Sequence, residues 1–189
     1  FVGLMATLLQ IGIGSLIGLT AGFFGGWVDS VLMRLTDWFL VVPFLPLAIV
    51  LAAVLERGLW TIILVIGITS WPSTARLLRA QVLTVRQRLY VDRARSLGAG
   101  RLHLMRRHIL PNVSHVILVQ LSILVVGFIK AEVILSYLGL GVSVDQVSWG
   151  TMLAEAQSEL ILGHWWQLAA ATLFMAVFVT AFSLLADAW

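Results

Sequence analysis

Met5 to Phe24 is a run of twenty residues without a formal charge, long enough as a helix to cross a hydrocarbon core of about 30 Å. No other feature restricts the fold as much. Within lipid the backbone must satisfy its own hydrogen bonds, so the run reads as a helix. Gly14, Gly18 and Gly22 recur every four residues and lay a smooth stripe along one face, which lets another helix approach closely. Comparable apolar stretches follow at Trp38–Leu55, Leu59–Ala75, from Val113 to about Leu140, and at Trp165–Ala186. The chain is therefore expected to be an all-α integral membrane protein, a polytopic helix bundle of about five spans.

Composition agrees. Of 189 residues, 60% are hydrophobic and 11% charged, where soluble domains carry about 25% charged residues. Cysteine is absent, which excludes a disulfide framework, a Cys-ligated zinc site and a thiol nucleophile. The pI near 10.2 does not point to nucleic acid, because nine of the twelve Lys and Arg lie between Arg76 and Arg107. A basic cluster between spanning helices marks the cytoplasmic side. Phe1 already lies in an apolar run, with no Met and no charged n-region before it, so no signal peptide is read. Both ends look cut, and one transmembrane domain over 1–189, lacking an N-terminal span and a C-terminal tail, is expected.

The polar breaks organise the rest. Gly25-Gly26 ends the first helix, and Asp29 or Ser30 is a candidate cap for the next. Pro43 and Pro46 are expected to kink the second span. Glu56-Arg57-Gly58 reads as a turn, with Trp60 and Trp71-Pro72 placed at membrane–water interfaces. Lys130 and Glu132 fall within the fourth span; at i and i+2 they point about 200° apart and are poor partners. Lys130 reads as a snorkelling helix-end charge, and Glu132 as a structural or pathway charge, since intramembrane charge is a functional candidate. The segment 142–163 holds Asp145, Glu155 and Glu159 but no Lys or Arg. It is placed outside, with a helix at Thr151–Leu160 and Trp165-Trp166 anchoring the last span.

The long hydrophilic interruption runs from Tyr90 to Asn112. Tyr90, Ala94 and Leu97 at i, i+4 and i+7 give a short helix an apolar face. Gly98 occupies the C-cap site, where positive φ is wanted. A second helix start follows, and Pro111 stands near the mouth of the next apolar run. The charge alone supports no more than a topology signal; the order of residues points to docking.

Asp92-Arg93-Ala94, three residues, Gly98, nine residues, and His108-Ile109-Leu110-Pro111-Asn112 resemble the cytoplasmic-loop signature of ABC importer permeases: Glu-Ala-Ala, three residues, Gly, nine residues, Ile, any residue, Leu-Pro. Gly25-Gly26-Trp27-Val28-Asp29, Ala75–Gln81, Leu135–Gly141 and Ser148-Trp149-Gly150 also resemble the dipeptide, oligopeptide and nickel branch, the second permease of the peptide systems in particular. The resemblance implies a fold of the type I ABC importer permease kind. It makes residues 86–100 a coupling-helix loop, with Tyr90, Asp92, Arg93, Ala94, Arg95, Leu97 and Gly98 docking an ATPase. His108, Leu110, Pro111 and Asn112 are loop-signature residues, and Glu132 matches an acid of the family's pattern. Asp92 in place of Glu and Arg93 in place of Ala are departures, so partner contacts are expected to be specialised. The implied partners are a homologous second permease, two ABC ATPase subunits that hold ATP and Mg, an external substrate-binding protein and membrane lipid; no cofactor is expected in this chain. The implied setting is a bacterial or archaeal cell membrane. The substrate would be di- or oligopeptides, with nickel chelates or glutathione-like solutes as alternatives.

A phosphate-binding loop ending in Gly-Lys-Ser or Gly-Lys-Thr is missing, and Lys130 is the sole lysine, so the chain has no nucleotide site of that kind. His103, His108, His115 and His164 form no metal-ligand pattern. Ser15 has no histidine at matching depth for serine-protease chemistry. A membrane enzyme or a non-ATP channel is the rival reading.

Overall fold

The computed structural model describes residues 1–56, 58–141 and 147–187, with side chains described as far as 184. Arg57, Asp145 and the start of the expected external segment lie outside the described residues. The described elements are helices: α1 (Val2–Phe24), α2 (Gly26–Val41), α3 (Phe44–Val54), α4 (Leu59–Arg86), α5 (Leu89–Ser96), α6 (Arg101–Leu104), a π-helical turn (Met105–Ile109), α7 (Leu110–Tyr137), α8 (Trp149–Ile161) and α9 (Trp166–Asp187). Among the described residues, four stretches are long and apolar enough to cross a membrane, five if the broken pair α2 and α3 makes one span.

Two compact units divide the chain. The first holds Phe1–Leu9, Phe44–Ile68 and Leu121–Trp189, with a core of Ala6, Ala48, Ile62, Val65, Ile66, Phe128, Ala131 and Leu135. The second holds Gln10–Pro43 and Thr69–Gln120, around Phe23, Val82, Val85, Val91, Leu104, Ile109 and Val113.

In the second unit the glycine stripe has a definite partner. A Cβ on Gly18 would stand 2.5 Å from the Ala75 carbonyl oxygen, one on Gly14 2.8 Å from Thr74 Cβ, and one on Gly22 2.8 Å from Val82 Cβ. These distances lie far inside van der Waals contact, so α1 meets α4 backbone to backbone only because these sites carry hydrogen. Gln10, fully buried, adds a polar tie, its Nε2 donating to Thr74 Oγ1 at 2.6 Å and to the Ser70 carbonyl at 3.1 Å. Pro72 leaves α4 one backbone donor short, yet the helix continues through it to Arg86.

Several expectations change. The second span is broken, not kinked: Val42, before Pro43, is extended at φ −82°, ψ 122°, as the proline ring demands of its predecessor. Pro46 sits in the first turn of α3, where its missing N–H is harmless. Neither Asp29 nor Ser30 caps α2, whose N-cap is Gly25 at φ +67° without a side-chain bond. Trp71 is no interface anchor, being 4% exposed and tilted against Phe39 at 5.3 Å between ring centroids. Trp60, Trp165 and Trp166 are exposed. α8 covers the expected Thr151–Leu160 helix and begins two residues earlier, in a capping box between Ser148 and Thr151.

Candidate functional site

The hydrophilic stretch folds as α5, a turn and the rising start of a long helix. α5 begins after Arg88, which is extended, and ends in a Schellman motif: Gly98 N–H donates to the Arg95 carbonyl at 3.0 Å and Ala99 N–H to the Ala94 carbonyl at 3.1 Å. Gly98 makes the reversal at φ +86°. Without a Cβ it enters the left-handed region at no steric cost.

The orientation of α5 differs from the expected face. Val91 is the fully buried residue, packed with Val82, Val85, Leu104, Ile109 and Val113, while Ala94 and Ala99 flank it. Tyr90 is 42% exposed, its ring 6.1 Å from that of His108, and Leu97 is 88% exposed. The inward pair is therefore Val91 and Ala94, at i and i+3: Ala94 turns inward as expected, whereas Val91 is buried in place of Tyr90 and Leu97. Leu97 has left the helical path, at φ −81° and ψ 7°. Outward lie Leu89 and Arg93, at i and i+4, and Leu97 just past the helix end, an exposed side that no described residue of the unit covers. Asp92 and Arg95 are exposed and pair with each other at 3.2 Å, an interaction worth about 0.5 kcal/mol or less at a helix surface.

His108, Leu110, Pro111 and Asn112 lie around the π-helical turn rather than at a fresh helix start. Residues Arg101–Tyr137 run as one 37-residue helix. The Leu110 N–H reaches back five residues to the Met105 carbonyl, and the wider turn eases the clash that Pro111 would make with an ordinary helix behind it. Asn112 Nδ2 donates to the His108 carbonyl at 2.7 Å. The π turn spaces Leu104, Ile109 and Val113 five and four residues apart on one buried face. Sequence reasoning missed Val91 and Ile109, the two residues that fasten the loop; only an irregular apolar spacing signalled them.

It also missed an ionic ladder from α2 to α4. Arg79 grips Asp29 bidentately, Nε to Oδ1 at 2.5 Å and Nη2 to Oδ2 at 2.6 Å. Arg76 Nη2 meets Asp37 Oδ1 at 2.5 Å. A forked guanidinium–carboxylate pair is directional as well as strong, and the Asp29–Arg79 pair sets the register of α2 along α4.

In the other unit Glu132 is 7% exposed and accepts from Ser136 Oγ at 2.6 Å. It lines a cleft of about 340 Å³ with Ile129, Ser148, Trp149 and Met152. Lys130 is exposed, so the two charges do diverge. Among the described residues, no three His, Asp or Glu converge in a geometry for a metal ion.

The pattern of the family described as "Binding-protein-dependent transport system inner membrane component" matches residues 14–189. The chain is 37% identical over 187 residues to the dipeptide transport system permease protein DppC of Bacillus subtilis, covering 99% of this chain and 58% of that one. It is 41% identical over 165 residues to the oligopeptide transport system permease protein OppC of the same organism, covering 87% and 54%. The glutathione transport system permease protein GsiD of Pectobacterium atrosepticum is 35% identical over 187 residues, covering 98% and 61%. The chain thus spans little more than half the length of these curated relatives. An all-α fold with several membrane-crossing helices, a short loop helix ended by Gly98 and a family match over nearly the whole chain converge: this multi-pass membrane protein belongs to the binding-protein-dependent transport system inner membrane components.

Proposed function

We propose that the chain is the membrane-spanning part of a permease subunit in an ATP-driven importer of di- or oligopeptides. It works beside a homologous permease, two ATPase subunits and an external binding protein. The observation that carries this reading is the mounting of α5. Its inner side is keyed by Val91 to Val82 and Val85 of α4 and to Ile109 and Val113 around the π turn. Its outer side offers Leu89, Arg93 and Leu97. A push on the outer side reaches two spanning helices through fully packed side chains, because a dense core transmits displacement instead of absorbing it. ATP-driven closure of the ATPases thereby moves the spans and switches access to the path. The names of relatives favour peptides, and the glutathione permease keeps a small peptide-like solute as the second substrate reading.

Ala94 is half-buried against the unit's core, so the docking probe belongs at Leu97. With Leu97→Cys in the full-length permease, in native membranes, a thiol-directed crosslinker is expected to capture an ATP-binding subunit. An accessible thiol at that site that captures no such subunit, in an assembly still competent for uptake, rules out α5 as the docking element.

A further inference from the structure

Beside α5, at the end of α1, Arg86, Arg95 and Arg101 line one pocket of about 300 Å³ whose other walls are Phe23, Phe24, Ala99 and Leu104. Three arginines line the same small volume, and Asp92, which lines the adjoining pocket with Arg86 and Arg95, is the one carboxylate beside them among the described residues. Arg95 shares Asp92 at 3.2 Å, at the exposed surface. Arg86 gives one long bond, 3.4 Å, to the Gly22 carbonyl, and Gly25 leaves room for its guanidinium: a Cβ there would stand 3.1 Å from Nη1. Arg101, exposed at the start of α6, has no carboxylate within bonding distance among the described residues. The pocket therefore carries a surplus of positive charge. Its floor is firm, since Phe23 and Leu104 are 7% and 2% exposed members of the unit's core. Its position is informative too: Phe24 is the last residue of a 23-residue apolar helix, which places the pocket where hydrocarbon gives way to headgroups.

We propose that this pocket binds the phosphodiester of an anionic phospholipid of the cytoplasmic leaflet. Arg86, Arg95 and Arg101 hold the phosphate, and Phe23 and Phe24 lie against the upper acyl chain. A planar guanidinium fork matches two phosphate oxygens, and basic pockets between helices on the cytoplasmic side suit anionic headgroups. A zwitterionic lipid presents the same phosphate but brings its own ammonium toward three arginines, so the site selects net negative charge. Inorganic phosphate fits the cations but leaves the aromatic walls bare. A lipid seated here touches Arg95 of α5 and the first turn of α6, and so braces the loop from the membrane side while its outer side stays free.

The test measures lipid retained on the purified full transporter, a readout independent of uptake and of docking by α5. The assembly is reconstituted in vesicles of phosphatidylcholine with phosphatidylglycerol, extracted in mild detergent, and weighed by native mass spectrometry. Wild type is expected to keep phosphatidylglycerol in preference to phosphatidylcholine, through washes containing inorganic phosphate. Each of Arg86→Gln and Arg101→Gln is expected to lower retention about five-fold, the worth of one arginine near an anionic surface. Each of Arg106→Gln and Arg107→Gln removes the same single charge from the loop outside this pocket and is expected to leave retention unchanged. Equal loss in both sets, or displacement by inorganic phosphate alone, overturns the proposal. So does a carbodiimide crosslink from Arg101→Lys to a carboxylate of another subunit, which would mean that protein fills the pocket.

Discussion

Gly18 bears the closest approach in the α1 stripe. Any side chain there meets the Ala75 carbonyl, and a leucine has no free volume to enter. Gly18→Leu is expected to lower stability by about 2 kcal/mol, the usual scale of overpacking, despite the better helix propensity of leucine. A fall in the detergent melting temperature checks it, with Gly12→Leu as control, since nothing lies within 4 Å of a Cβ at that site. Asp29 is the other sensitive residue. Asp29→Ala strips Arg79 of its fork and is expected to cost about 2 kcal/mol, the value of charged hydrogen bonds left unmade. Melting of D29A, R79A and the double variant reads the coupling: a double variant no worse than R79A alone confirms that the two residues act as a pair. The spacing of the glycines was legible in the sequence because a four-residue repeat is a one-helix property. The Asp29–Arg79 pair was not, because its members lie 50 residues apart and nothing local distinguishes a pairing carboxylate from a capping one.

At the scale of the element, α5 has a buried anchoring side at Val91 and an exposed side at Leu97, the side proposed to dock. Leu97 is 88% exposed, so Leu97→Asp is expected to leave the melting temperature within a degree or two. The same change is expected to reduce transport-coupled ATP hydrolysis at least ten-fold, since loss of one apolar contact of about 1.5 kcal/mol at an interface is a factor of ten. Unchanged coupling in L97D would remove the outer side from the docking surface. The helix and its glycine terminus could be read from Tyr90 to Gly98, because capping is decided by neighbours in sequence. The buried face could not. Val91 and Ile109 meet only because the π turn resets the register ahead of Pro111, and a spacing of five has no place in an ordinary helical period.

For the molecule as a whole, the basic stretch Arg76–Arg107 and the acidic residues Glu155 and Glu159 predict opposite sides of the membrane. The chain lacks cysteine, so single thiols at Leu97 and at Ile161, both strongly exposed, report sidedness. A membrane-impermeant maleimide is expected to label Ile161→Cys in intact cells and Leu97→Cys only after lysis; the reverse pattern inverts the orientation. Membrane residence, a count of about five apolar stretches and the family signature rest on composition, run length and short spacing, and these the amino-acid order determines by itself. Which face of α5 turns inward, that Trp71 is buried, that Asp29 holds Arg79, and that three arginines share a pocket with Phe23 and Phe24 were decided only in the folded chain. The physical reason is common to all four. Hydrophobic run length and capping are local free energies, whereas burial, ion pairing and shared pockets depend on which distant segments are brought within a few ångströms.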